Sequence, residues 1–341
     1  MSPSTDMCSD VWLEILSRVS LTTLGVCRAV SRQWNLISYE PALMSLRSKR
    51  TDTLHGYMVR WYDDVHRQTA SFVSSTMPCG DGNGHVNPIS LEFLRLFGCS
   101  IDMEAAHQGI VLCHRDNQKN PRVPQYIVTK PSTKQWVVIP NPRTRNRTLV
   151  IDLVVLRSQP VLHYKIVRVS TPYHKNYAPP AYPCEVFDSE TWKWKKLGDI
   201  KLSRDYYMCH FGKKVTVSGT TCVLLSCPDR IFMFDLIKET WIILSLPFEK
   251  VDVDEWIDLV KVEGKLGVLR RDSADNELWL MKDRHNIVWC KTKYEATVDD
   301  SQEVMMVHYR RHLTWPAAVF PFCCDFEQTN LGPHGQSRAV G

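Results

Sequence analysis

Twelve cysteines and twelve histidines are the side chains with the most chemistry open to them in this chain: thiolate nucleophiles, metal ligands and general bases. The cysteines stand at 8, 27, 79, 99, 113, 184, 209, 222, 227, 290, 323 and 324. No two are spaced C-x-x-C, so they suggest neither a zinc site nor a compact disulfide framework. They read as reduced thiols acting as small hydrophobes. His107, His114, His163, His174 and His210 are scattered, and Cys209-His210, neighbours in a strand, would point to opposite faces. Gly80-Asp81-Gly82-Asn83-Gly84-His85 looks like a phosphate or calcium loop. It lacks the Lys-Ser/Thr of the first and the spaced carboxylates and closing Glu of the second, and reads as a surface turn. G-x-S-x-G, H-E-x-x-H and P-loop patterns are all missing. The expectation is a chain with no catalytic residue, cofactor or metal.

The elements around these residues are of two textures. From about Leu54 onward, short alternating or apolar runs are separated by Pro, Gly, Asn and Asp. Gly56–Trp61, Ile110–Cys113, Tyr126–Thr129, Trp136–Ile139, Tyr164–Val169, Val215–Val217, Cys222–Leu225 and Ile231–Phe234 are rich in Val, Ile, Tyr, Phe and Trp, as half-buried strands require. Helical periodicity shows only around Ile89–Phe97. A unit recurs: an apolar strand, a polar turn, then a strand opening with Trp. It appears at Tyr126–Pro140, Cys184–Leu197, Ile231–Pro247 and, more weakly, Glu277–Lys291. Its tryptophans, Trp136, Trp194, Trp241 and Trp289, are separated by 58, 47 and 48 residues. That is near the roughly 50-residue period of a kelch-type propeller blade. A blade cannot bury both faces alone, so the four tryptophans are expected between stacked blades.

Residues Asp10 to Arg47 differ. Val11, Ile15 and Val19 form one helical row and Trp12 and Leu16 the adjacent one, with Ser9 or Asp10 as cap. A second segment starts at Thr22 or Thr23 and presents Leu24, Cys27 and Val30. A third, Arg32 to Ser38, carries Trp34 and Ile37, and Pro41 stops it. Below about 40 residues a domain usually needs help to be stable.

The stretch DVWLEILSRVSLTTLGVCRAVSRQW resembles the F-box of plant type. The resemblance implies docking onto a Skp-type adaptor and, through it, a cullin ubiquitin ligase. Val11, Ile15, Leu16, Leu24, Cys27, Arg28, Val30 and Trp34 are the positions it carries over as adaptor-facing or motif-framing, some of which must be the unit's own core. The family's Leu-Pro pairs are replaced here by Met7-Cys8 and Val19-Ser20. The later repeats are similar to the plant F-box-associated domain: Gly109–Cys113, Lys130–Thr133 with Trp136, Tyr164–Val169, Val186–Trp194, Phe234–Trp241, Gly264–Leu269 and Glu277–Asp283 match its pattern in order. A propeller-like fold is what this resemblance implies.

The expected fold class is an α+β multidomain chain: a three-helix F-box at 1–47, a mostly β, propeller-like domain at 48–315, and a divergent tail at 316–341. The expected function is substrate recognition in an SCF-type ubiquitin ligase, with the β-domain binding an unknown target protein. The alternatives are a propeller-type enzyme or ligand-binding module, and an F-box scaffold outside the ligase. The net charge of +5 is modest. The clusters Arg143, Arg145, Arg147 and Arg47, Lys49, Arg50 read as solvated loops, and no nucleic-acid module is recognisable. No run approaches the roughly 18 apolar residues that span a bilayer, so no membrane partner is expected and the compartment is read as cytoplasm or nucleus.

Overall fold

The computed structural model of the chain describes residues 9–19, 23–24, 27, 30–38, 42–43, 46, 54–62, 68–74, 89, 91, 93–94, 101–115, 125–157, 162–171, 181–202, 208, 214–225, 230–248, 256–262, 264–271, 276–283, 287–293, 318–324, 329–332 and 338–339. A small helical unit precedes a large antiparallel β-region, and the expected mostly β chain with few helices is what forms.

The first helix is Ser9–Arg18. Asp10 in its first turn and Arg18 in its last complement the helix dipole. Arg18 also pairs with Glu14 one turn earlier at 2.6 Å. Thr23, Leu24, Cys27 and Val30 are helical. The helix Arg32–Ile37 is capped by Ser31, whose hydroxyl accepts from the Trp34 N–H at 3.3 Å.

The strands run β1 Leu54–Tyr62, β2 Gln68–Ser74, β3 Ile101–His107, β4 Ile110–Arg115, β5 Gln125–Lys130, β6 Gln135–Val138, β7 Thr148–Arg157, β8 His163–Ser170, β9 Ala181–Tyr182, β10 Cys184–Asp188 and β11 Lys193–Lys196. They continue as β12 Ile200–Lys201, β13 Lys214–Val217, β14 Thr220–Leu224, β15 Arg230–Asp235, β16 Thr240–Ser245, β17 Trp256–Val262, β18 Lys265–Arg271, β19 Asn276–Asp283, β20 Val288–Lys293, β21 Ala318–Cys324 and β22 Arg338–Ala339. Four sheets follow one another along the chain: β3-β4-β5-β6, β7-β8-β10-β11, β13-β14-β15-β16 and β17-β18-β19-β20. A terminal sheet, β2-β1-β21, joins the start of the β-region to its end. The helical periodicity around Ile89–Phe97 is reduced to a single 3-10 turn at Phe93 and Leu94 among the described residues.

Each sheet buries its faces against the next. Met58, Phe72 and Phe322 of the terminal sheet pack on Met103, Val111 and Ile127 of the first. The first and second share Leu112, Tyr126, Val128, Tyr164, Phe187 and Trp194. The second and third share Val167, Tyr182, Val223, Phe232 and Phe234, and the third and fourth share Cys222, Met233, Leu259 and Val268. Among the described residues no hydrophobic cluster joins the fourth sheet to the terminal one. Trp136, Trp194, Trp241 and Trp289 each pack on one of these clusters between two sheets, as the repeat predicts.

The repeat has a second, unpredicted register. Four residues join β5 to β6, β10 to β11, β15 to β16 and β19 to β20. In every case the residue two before the tryptophan is left-handed: Lys134 (φ 53°), Trp192 (φ 55°), Glu239 (φ 55°) and Ile287 (φ 54°). The turn geometry fixes this conformation, and none of the four is glycine.

Described residues within 316–341, the stretch expected to be a divergent tail, belong to the β-region. Ala318–Cys324 is a strand paired along β1, because its apolar sequence completes the terminal sheet. Leu331 is buried between the first and second sheets, and its carbonyl accepts from the Tyr164 hydroxyl at 3.0 Å. Thr329 N–H donates to Gln135 Oε1 at 2.9 Å, and Lys130 Nζ donates to Thr329 Oγ1 at 3.1 Å. The segment lacks the Trp repeat, which is why it looked divergent.

Candidate functional site

The helical unit divides its apolar residues into two sets. Leu13, Leu16, Leu24, Ile37 and Leu43 form a closed core, with Trp12, Val19, Cys27, Trp34 and Leu46 half-buried around it. Trp12 and Trp34 lie with ring centroids 4.9 Å apart. Val11 and Ile15, one helical turn apart on the first helix, are 42% and 41% exposed. Val30 is 67% exposed and Leu36 is 72% exposed.

Of the positions expected to frame or face an adaptor, Leu16 and Leu24 are therefore core. Cys27 and Trp34 support that core. Val11, Ile15 and Val30 present their side chains to solvent. Arg28 lies outside the described residues. Leu36 was missed in the sequence, where it sits off the Trp34 and Ile37 row; that displacement was the signal, since an apolar residue off the buried row has to face out.

The β-region carries no catalytic assembly among its described residues. Two of its buried polar clusters are satisfied internally. Arg168 on β8 and Glu185 on β10 are both fully buried, with Nη1 2.9 Å from Oε2. The guanidinium also donates to Thr148 Oγ1 at 2.8 Å, to Thr144 Oγ1 at 2.7 Å and to the Asn146 carbonyl. Glu185 further accepts from the Thr144 N–H at 3.0 Å and hydroxyl at 2.7 Å. Asp152 on β7 is almost fully buried and accepts from Thr216 Oγ1 and, at 2.7 Å, from Thr221 Oγ1; Lys214 Nζ lies 3.5 Å away. These groups tie the second sheet to the loop before it and to the third sheet.

Histidines and cysteines fall into ordinary roles where they are described. His107 Nδ1 accepts from the Val155 N–H at 3.2 Å. His163 sits between Asp188 (3.1 Å) and Glu190 (3.5 Å), the three forming a donor set within 4.8 Å. Arg157 at 2.5 Å from Glu190 and Lys165 at 3.9 Å from Asp188 already balance those carboxylates, so the set works as an ion-pair network over a hairpin. Burial pushes the thiols of Cys113 and Cys184 well up, the latter to about 12, with nearby carboxylates adding to the shift. Neither thiol can supply a thiolate nucleophile at neutral pH. Arg143, Arg145 and Arg147 are exposed, as expected of a solvated loop. Cys209, His174, His210, residues 80–85 and the cluster Arg47, Lys49, Arg50 lie outside the described residues.

Residues 98–325 match the family described as the F-box associated beta propeller domain, and residues 4–43 match the F-box domain. The chain belongs to the F-box proteins with an F-box associated domain. Its relatives are plant F-box proteins. One from Arabidopsis thaliana is 38% identical over 47% of this chain and 84% of its own length. Another from the same plant is 24% identical over 96% of this chain and 86% of its own length. Among solved structures, an Aleuria aurantia lectin is similar with a TM-score of 0.33 at 9% identity, covering 73% of this chain and 81% of that one, a likeness too remote to carry an argument. In this F-box protein the match to the F-box falls on the helical unit, and the match to the associated domain spans β3 to β21.

Proposed function

We propose that this F-box protein is the substrate-recognition subunit of an SCF-type ubiquitin ligase. Its F-box would dock on a Skp-type adaptor, and through it on a cullin, while its β-region would hold a target protein. The observation that supports this most directly is the split of the helical unit. Among the described residues five side chains form the core, and Val11, Ile15, Val30 and Leu36 stay in water. A unit this small gains more from covering that surface with a partner than from any further packing of its own. The receptor's contribution to ubiquitin transfer is positioning: it raises the effective concentration of target lysines near the charged conjugating enzyme and needs no nucleophile of its own. Such a role places the protein in the cytoplasm or nucleus.

Co-expression with a plant Skp-type adaptor followed by size-exclusion chromatography tests the reading. Wild type is expected to elute as a one-to-one complex. The double variant Val11→Asp/Ile15→Asp changes two exposed positions and is expected to keep the helical circular dichroism while losing at least about tenfold in adaptor affinity. Unchanged adaptor binding by a folded double variant would remove this face from the docking surface, and no complex with wild type would overturn the receptor role.

A further inference from the structure

The hairpins of the tryptophan repeat end in four outer strands, β6, β11, β16 and β20. In its sheet's own hairpin order each is the last strand, so alternate residues direct their N–H and C=O groups away from the sheet. Such an edge invites pairing with another chain unless it is covered or charged. Three of the four are managed in one of those ways. β6 is covered by the chain itself, through the pairs Arg338↔Trp136 and Ala339↔Gln135 of β22. β11 reads KWKK, with Lys193, Lys195 and Lys196 exposed. β20 reads VWCKTK, with Lys291 exposed.

β16 has neither device. It reads TWIILS, with no charge and no proline. Ile242 within it is 44% exposed, and Ile237 in the turn before it is 61% exposed. Among the described residues no strand pairs with its outer edge. We propose that β16 is a docking edge for an extended segment of a target protein, which adds to the third sheet as a fifth strand. β22 shows the same geometry within this molecule, a strand from elsewhere laid along the outer edge of the repeat.

Charge selects the occupant. Lys238 is exposed in the turn that opens β16, and at the far end Arg230 Nη1 donates to Ser245 Oγ at 2.7 Å. The nearby Glu239 is engaged by Lys165 at 2.6 Å and Lys195 at 2.7 Å. The segment that fits is apolar at alternate positions and acidic at its ends. Two copies of this chain paired edge to edge in antiparallel fashion would set the Lys238 end of one against the Arg230 end of the other, which like charge disfavours. Main-chain hydrogen bonds supply affinity in this mode and the alternating side chains supply specificity. The identity of the partner as a ligase target rests on the function proposed above; the chemistry of the edge does not.

The test is a displayed library of random linear peptides selected against the full chain in complex with the adaptor, with Ile242→Lys as the counter-target. That substitution gives β16 a lysine, as β11 and β20 carry, at an exposed position. Selected peptides are expected to alternate apolar residues between acidic ends, to bind Ile242→Lys at least about tenfold more weakly, and to lose binding when alternate backbone amides are N-methylated. Adaptor binding by Ile242→Lys is expected to equal wild type, which separates failure of this edge from failure of the F-box. Peptides that bind both proteins equally, peptides indifferent to N-methylation, or an empty selection would overturn the proposal. So would a wild-type dimer that Ile242→Lys dissolves, since the edge would then serve self-association.

Discussion

Among the described residues, the F-box core holds five buried side chains, and the junction of the first and second sheets holds sixteen. The small core leaves large apolar residues outside. The large one has enough surrounding structure to hold an arginine and a glutamate at zero exposure, every polar atom of the pair engaged. The difference separates two uses of stability. In the proposed receptor the F-box would be finished by a partner, and its free energy shared with a complex. The sheets carry their stability internally, which would leave edges and turns for recognition.

The comparison breaks most visibly at Glu185. Glu185→Ala strands the Arg168 guanidinium in a dry interior and is expected to cost about 3–5 kcal/mol in denaturant unfolding of the β-region. Adaptor binding should survive under native conditions, because the pair lies outside the F-box. Replacing both partners, Arg168→Met with Glu185→Leu, is expected to recover most of that loss. A double variant as unstable as the single one would mean that the hydrogen bonds to Thr144 and Thr148 carry the site.

A slightly smaller effect with opposite consequences is expected at Leu16. Leu16→Ala opens a cavity in the F-box core at a cost of about 2–5 kcal/mol. That approaches all the stability so small a unit can have. Helical circular dichroism and adaptor binding should fall together, while unfolding of the β-region, followed by tryptophan fluorescence, should stay at the wild-type midpoint. Loss of both at once would show that the two regions fold as one cooperative unit.

The smallest effect sharpens the picture within the β-region. Burial alone would raise the Glu239 carboxyl, but hydrogen bonds from Lys165 and Lys195 and their charges outweigh it and hold the group below its ordinary value of 4.5. A carboxyl lowered in the native state stabilises above its unfolded value, and that contribution disappears as pH falls through the lowered one. Thermal melts of wild type should therefore lose stability on going below about pH 4.5, and Glu239→Gln should flatten that decline with little change at pH 7. An unchanged acid slope would assign the decline to other carboxylates.

Much of the β-region was legible because its signals are local. Tyr164–Val169, Ile231–Phe234 and the tryptophan-led strands announce themselves by composition, and a residue's alternation along a strand needs no knowledge of its neighbours. The left-handed residue two before each tryptophan was not legible, since Lys134, Trp192, Glu239 and Ile287 share no chemistry. Turn geometry chooses their conformation, and side-chain type does not. Nothing in the sequence singled out Arg168 and Glu185; only the stacking of sheets buried them.

By itself the sequence determined the order of the two regions, the hairpin repeat and the helical period of the F-box, because each depends on patterns within a few dozen residues. Tertiary structure alone decided which residues of one apolar stripe are core and which are surface. Val11, Ile15 and Leu16 are alike in chemistry and lie within six residues, and only the helices packed against Leu16 distinguish it. It also decided that Ala318–Cys324 belongs to the sheet of β1. A strand completes a sheet through backbone groups that every residue has, so its partner is chosen by where the rest of the chain has left an open edge.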